Sequence, residues 1–167
     1  MKLKLALLFV VVSFGCGGSS PTAPTPPTLP PVPSIGHYSV TVTPNPILAT
    51  TTGRADYPWR ADWRVTITDD SGLSGNVNRV ITTARNNSQR TAVFSDLNPS
   101  DVQQRAGTSH INAHGSLTYL TWTTYTDGQG GQQLTLTVAV EVIDDSPNHN
   151  KVTASTDVNV TQHGRAQ

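Results

Sequence analysis

The chain has 167 residues, of which 13% are charged, and its 11 Lys and Arg balance its 11 Asp and Glu. This balance lacks the basic excess that nucleic-acid binding draws on. A single Glu (Glu141), a single Met and few Leu or Lys beyond the first fifteen residues exclude a helix bundle, a coiled coil and a polytopic membrane protein.

Met1-Lys2-Leu3-Lys4 opens the chain as a short basic segment, and Leu5-Ala6-Leu7-Leu8-Phe9-Val10-Val11-Val12 follows as an apolar run. The run is about half the roughly 20 residues that span a bilayer, and its length matches the core of a secretory signal. Ser13-Phe14-Gly15 then places small residues before Cys16, the only cysteine. A lone cysteine in an exported chain has no partner within the chain, and acylation would account for it. The segment resembles the lipobox of bacterial lipoproteins, with Gly15 fitting the pattern and Ser13 standing where Leu is usual. That resemblance implies cleavage after residue 15 and a lipid on Cys16. Several acyl chains on one cysteine anchor stably where a single chain does not. Gly17 in the following position, with no Asp there, implies sorting to the outer membrane in a two-membrane cell.

Gly17-Gly18-Ser19-Ser20 leads into residues 21–33, which hold seven of the 12 prolines. Such a stretch favours polyproline II, and thirteen residues at about 3.1 Å each reach about 40 Å. Residues 16–36 therefore read as a tether. Without residues 1–15, nine basic groups face eleven acidic ones, a net charge of about −2 that gives no reason to seek nucleic acid or anionic lipid.

From His37 the hydrophobic period is two. Trp59, Ala61, Trp63, Val65 and Ile67 alternate with Arg60, Asp62, Arg64, Thr66 and Thr68, which predicts a half-buried strand. Residues 132–144 (Leu134, Leu136, Val138, Val140, Val142) and 151–161 (Val152, Ala154, Val158, Val160) repeat the pattern. Tyr38, Val40 and Val42 predict a shorter strand closed by Pro44-Asn45-Pro46. Residues 117–126 place Leu120 and Trp122 on one face and Tyr119, Thr121, Thr123 and Tyr125 on the other. Val77 and Val80 have opposite parity, which predicts a bulge. Arg90 to Ser95 reads as a short strand, and Asn98-Pro99-Ser100-Asp101 as the cap of one helical turn through Gln104. Asp69-Asp70-Ser71-Gly72, Asp127-Gly128-Gln129-Gly130-Gly131 and Asp144-Asp145-Ser146-Pro147-Asn148 carry turn chemistry. If strands alternate in direction, the two Asp-Asp-Ser loops share an end only when residues 85–113 contribute an odd number of strands.

Strands with one apolar face each pair those faces most economically in a two-sheet sandwich. Val40-Thr-Val-Thr-Pro44, Val65-Thr-Ile-Thr-Asp-Asp-Ser-Gly72 and Val138-Ala-Val-Glu-Val-Ile-Asp-Asp145 resemble bacterial immunoglobulin-like domains, of the kind that surface lipoproteins carry. The antibody-type cysteine pair is absent, and about 125 residues suffice for a core without it.

Catalytic patterns are sparse. Gly72-Leu73-Ser74-Gly75 lacks the spacing of a nucleophile elbow. Glu141 falls on the solvent face of a strand, whereas glycoside hydrolysis needs two acids on one cleft. His110 and His114, four apart, would lie about 13 Å apart along a strand, too far to share zinc unless the chain folds back at Gly115. The Asp-Asp-Ser loops lack the spacing of an EF-hand, and their Asp69, Asp70, Asp144 and Asp145 read as turn formers. Trp59 and Trp63 point with Val65 and Ile67 and read as core. Tyr119 and Tyr125, opposite Trp122, read as exposed and as ligand-contacting candidates.

The expected organisation is an all-β chain: a lipoprotein signal peptide (1–15), a tether (16–36) and one immunoglobulin-like sandwich of about seven antiparallel strands (37–163). The expected function is a lipid-anchored, exported binding or structural module of the bacterial envelope, without catalysis, cofactor or metal. Its partners would be the membrane, through Cys16, and a protein or glycan. The alternative is a carbohydrate-binding module using Tyr119 and Tyr125, and an accessory hydrolase ranks third.

Overall fold

The computed structural model describes residues 31, 33–86, 90–126 and 134–162. Cys16, the signal segment, most of the tether, the Gly-rich turn at 127–131 and His163 lie outside the described residues. Among the described residues no helix is long and apolar enough to cross a membrane.

Apart from residues 117–126, whose tyrosine face turns inward and not outward as expected, the alternating segments become strands with the expected faces. β1 (Tyr38–Thr43) buries Tyr38, Val40 and Val42 and ends at Pro44, which has no N–H to continue a ladder. β2 (Ile47–Thr51) and β3 (Trp59–Asp69) follow, and β3 buries every odd residue. β4 (Gly75–Asn86) buries both Val77 and Val80 because its register against β8 (Leu134–Asp144) shifts between Val77 and Arg79, the predicted bulge. β5 (Thr91–Leu97) leads to α1 (Pro99–Ala106), longer than the predicted turn. Asn98 caps α1 by accepting from the Ser100 and Asp101 N–H groups, Asp101 accepts from the Asn98 N–H, and Gly107 closes it in the left-handed conformation. β6 (His110–Ile111), β7 (Ser116–Tyr125) and β9 (Lys151–Gln162) complete nine strands among the described residues. The count exceeds seven through the short β2 and the two-residue β6.

The strand path runs β1-β3-β2-β9-β8-β4-β5, with β7 beside β3 and β6 beside β4. It folds into two layers because β2 changes partner midway. Ile47, Leu48 and Ala49 lie parallel to Val160, Thr161 and Gln162 of β9, whereas Thr50 and Thr51 lie antiparallel to Arg60 and Trp59 of β3. One layer is β1, β3 and β7; the other is β9, β8, β4 and β5. The other described pairings are antiparallel. Between the layers Val65, Ile67, Val77, Val80, Leu136, Val138, Val140 and Val142 are fully buried, each burial contributing about 1.5–3 kcal/mol before entropy is counted. The fully buried Val102 of α1 extends this core. The molecule is an all-β sandwich of immunoglobulin-like type.

Residues 85–113 make a single passage along the sandwich, as β5 followed by α1 and β6. β3 and β8 consequently run the same way, and the two Asp-Asp-Ser loops share an end.

Candidate functional site

The outward face of β3 and β7 carries an exposed apolar pair beside charge. The register sets Asp62 opposite Trp122 and Arg64 opposite Leu120. Trp122 is 57% exposed and Leu120 67%. The Arg60 guanidinium lies 4.7 Å from the Trp122 ring centroid and binds Asp62 with both Nε and Nη2, at 2.7–3.0 Å. Planar guanidinium groups stack on indole in this way, and the carboxylate holds the stack in place. Arg64 forms no ion pair among the described residues.

Beside this pair the edge of β3 is notched. β1 pairs with β3 down to Thr43↔Arg64 and β2 resumes at Thr50↔Arg60, so Ala61, Asp62 and Trp63 have no strand partner on that side. A hollow of about 500 Å³ lies there, lined by Thr43, Pro44, Arg60, Arg64, Leu120 and Trp122. Trp63 also lines it and is buried, and its indole N–H has no hydrogen-bond partner.

The tyrosines proposed as ligand contacts are not on that face. Tyr119 is 3% exposed and Tyr125 8%. β7 has apolar residues on both faces, and its pairing with β3 places Tyr119 opposite Val65 and Tyr125 opposite Trp59, both core residues. Leu120 and Trp122 are thereby turned outward. Burial raises the Tyr119 hydroxyl pKa to about 12, against an opposing pull from Arg105. Tyr125 forms part of the wall of a second cavity of about 550 Å³ between the layers, with Tyr57, Ala84, Arg90, Phe94 and Leu134.

The shared end of the two Asp loops is a structural knot. Asp144 is fully buried; its Oδ1 accepts from the Ser146 N–H and hydroxyl and the Asn150 N–H, and its Oδ2 from the Gly36 N–H and Asn150 Nδ2. Burial alone would raise its pKa, but these donors outweigh burial and hold it at about 2. Asp69 follows the same logic: burial opposes ionisation, and the Ser71 hydroxyl with the His114 and Ser71 N–H groups prevails, lowering the pKa. Asp145 receives Ser74 Oγ and Asn76 Nδ2. His37 and His110 lie 3.6 and 3.9 Å from Asp70 and Asp145. The chain does turn at residues 112–115, where the Gly115 N–H donates to the Asn112 carbonyl, but His114 then covers Gly72, where a Cβ would stand 2.5 Å from its Nε2. Among the described residues no three His, Cys, Asp or Glu side chains converge in a metal-binding arrangement.

Glu141 is held by Lys151 at 2.9 Å and by Asn78, and Lys151 leads in lowering its pKa. A general acid needs the opposite shift.

The fold has relatives of known structure. The ApaA protein of Bordetella pertussis superposes with a TM-score of 0.54 at 8% identity, covering 78% of this chain and 97% of that one. The structural-genomics target SoR45 gives 0.54 at 8%, covering 79% and 90%. The CARDB domain of the Pyrococcus furiosus PF1109 protein, solved with di-metal ions, gives 0.45 at 13%, covering 75% and 89%. At such identities the likeness is one of fold alone. No protein-family model and no curated protein matches the sequence.

Proposed function

We propose that this chain is an exported, lipid-anchored binding module of the bacterial cell envelope, acting without catalysis, whose ligand lies across the outward face of β3 and β7. The observation that carries the binding reading is the exposed Trp122–Leu120 pair, set on a sheet beside Arg60, Asp62 and the unpaired Arg64. Aromatic and Arg side chains together are the commonest anchors of binding surfaces. Support for the anchor comes from the basic start, the apolar run and Cys16. In a two-membrane cell the outer membrane is the destination.

Two measurements test this reading. Cys16→Ser moves the protein from the membrane fraction to the soluble fraction; retention in the membrane overturns the anchor. Trp122→Ala, in the soluble Cys16→Ser background, abolishes sedimentation with isolated cell envelopes while leaving the circular dichroism unchanged. Undiminished sedimentation overturns the binding face.

A glycan ligand is the second reading, and Trp122 is the side chain that favours it. Indole stacks on sugar rings, and Asp62 and Arg64 flank it with polar groups. Tyr119 and Tyr125, the candidates that the sequence offers for that role, are buried.

A further inference from the structure

Arg60 and Arg64 flank Trp122 from its two diagonals, because the register sets Asp62 directly opposite the indole. Their charges are engaged differently. Arg60 lies over one face of the ring and is neutralised by Asp62, which it binds through Nε and Nη2. Arg64 has no ion pair among the described residues, and it lines the hollow of about 500 Å³ together with Trp122, Leu120 and Thr43. No other charged residue faces outward on β1, β3 or β7. This face therefore carries one unbalanced positive charge, on a chain whose residues 16–167 set nine basic groups against eleven acidic ones. Arg105 of α1, likewise without an ion pair, reaches Thr121 Oγ1 at 3.0 Å from the inner side of β7 and brings no negative charge to the site.

We infer that this hollow takes an acidic sugar: a uronic-acid residue of a glycan, its ring on the indole face of Trp122 that Arg60 leaves open and its carboxylate on the Arg64 guanidinium. The inference rests on the β3–β7 binding face and its glycan reading, and it adds the charge of the ligand. A guanidinium presents a planar fork that holds a carboxylate through two parallel hydrogen bonds. Diagonal neighbours on a sheet stand about 7–8 Å apart, which leaves room for one ring between the stack and the ion pair. One unbalanced positive charge matches one carboxylate. A phosphate monoester carries close to two negative charges at neutral pH, and the second would face Asp62. A hollow of about 500 Å³ falls within the range of about 300–1,000 Å³ for small-ligand sites. An added peptide strand fits less well. Only Ala61, Asp62 and Trp63 lack a partner on that edge of β3, fewer than the five or six residues of a usual strand.

Isothermal titration calorimetry of the full chain with Cys16→Ser tests it. The probes are oligosaccharides of galacturonic and of glucuronic acid, and their methyl esters, in which the same rings carry no charge. The expected result is that at least one acid binds at least tenfold tighter than its ester, and that high salt narrows the difference. Arg64→Gln removes the preference, leaving acid and ester within twofold of each other, whereas Trp122→Ala abolishes binding of both. Circular dichroism verifies that each variant keeps the fold. Equal affinity for acid and ester in the parent chain, or a preference that survives Arg64→Gln, overturns the acidic ligand. If no oligosaccharide binds while Trp122→Ala still abolishes sedimentation with cell envelopes, the acidic sugar is overturned and the binding face stands. Undiminished sedimentation of Trp122→Ala overturns the face and the sugar together. Sedimentation that is lost after protease treatment of the envelopes but kept after periodate assigns the face to a protein partner and overturns the sugar.

Discussion

The backbone N–H of Gly36 donates to Oδ2 of Asp144 at 2.9 Å, joining residues 108 positions apart. Asp144 also closes the turn between β8 and β9 through Ser146 and Asn150, and Asn150 Nδ2 reaches back to the Ser34 carbonyl at 3.2 Å. One buried carboxylate thus fixes a turn and the entry of the chain into the sandwich. A buried charge is tolerated because five donors surround it, and removing the acceptor would leave those donors unsatisfied.

The acid limb of stability follows from that carboxylate. A pKa of about 2 in the folded state, against about 3.9 in the unfolded chain, means that folding favours the ionised form. The contribution is fully present above about pH 5 and is lost as pH falls toward 2, amounting to about 2–3 kcal/mol. Urea unfolding at stepwise lower pH should show this loss. Asp144→Asn should lower stability at neutral pH and flatten the slope, with Asp69 retaining part of it.

Calcium should not stabilise the domain. The lone pairs of Asp144 and Asp69 that a cation would use already accept protein donors. A cation binding the folded state at a hundredfold excess over its Kd would add about 2.7 kcal/mol, several degrees of Tm for a domain of this size. Thermal unfolding in millimolar calcium and in EDTA should coincide. A calcium-dependent rise that disappears in Asp144→Asn would show the loop to be a site.

Trp63 and Arg64 are neighbours on opposite faces of β3, with Trp63 3% exposed. Trp63→Ala should cost about 3–5 kcal/mol, the range for large core aromatics. Arg64→Ala, on the solvent face and without an ion pair, should change stability by no more than about 0.5 kcal/mol. Denaturant midpoints compare the two directly, and equal losses would contradict the burial of one face alone.

The aromatic residues of β7 should divide the same way. Tyr119→Ala should destabilise by several kcal/mol, in the range of about 3–5 for core aromatics, because the ring is buried against the other layer. Trp122→Ala should leave the Tm almost unchanged while removing binding. Quenching of tryptophan fluorescence by iodide should fall most in Trp122→Ala, since Trp59 and Trp63 are buried.

Much of the fold was legible in the period-two pattern. Wherever a strand carries apolar residues at one parity only, as β1, β3 and β9 do, the sequence names both the strand and its buried face, because burial rewards a single alternation. The bulge beside Val77 and the Asn98 cap were legible for the same local reasons. β7 was not, since Leu117, Tyr119 and Tyr125 compete with Leu120 and Trp122, and alternation alone cannot say which set faces inward. Only the register against β3 decides it, pairing Val65 with Tyr119 and Arg64 with Leu120, and with it the exposure of Trp122. The turn aspartates show the same division of labour. Their local chemistry predicts turns, but the burial of Asp144 depends on Gly36, a donor 108 residues away that the tertiary fold alone delivers.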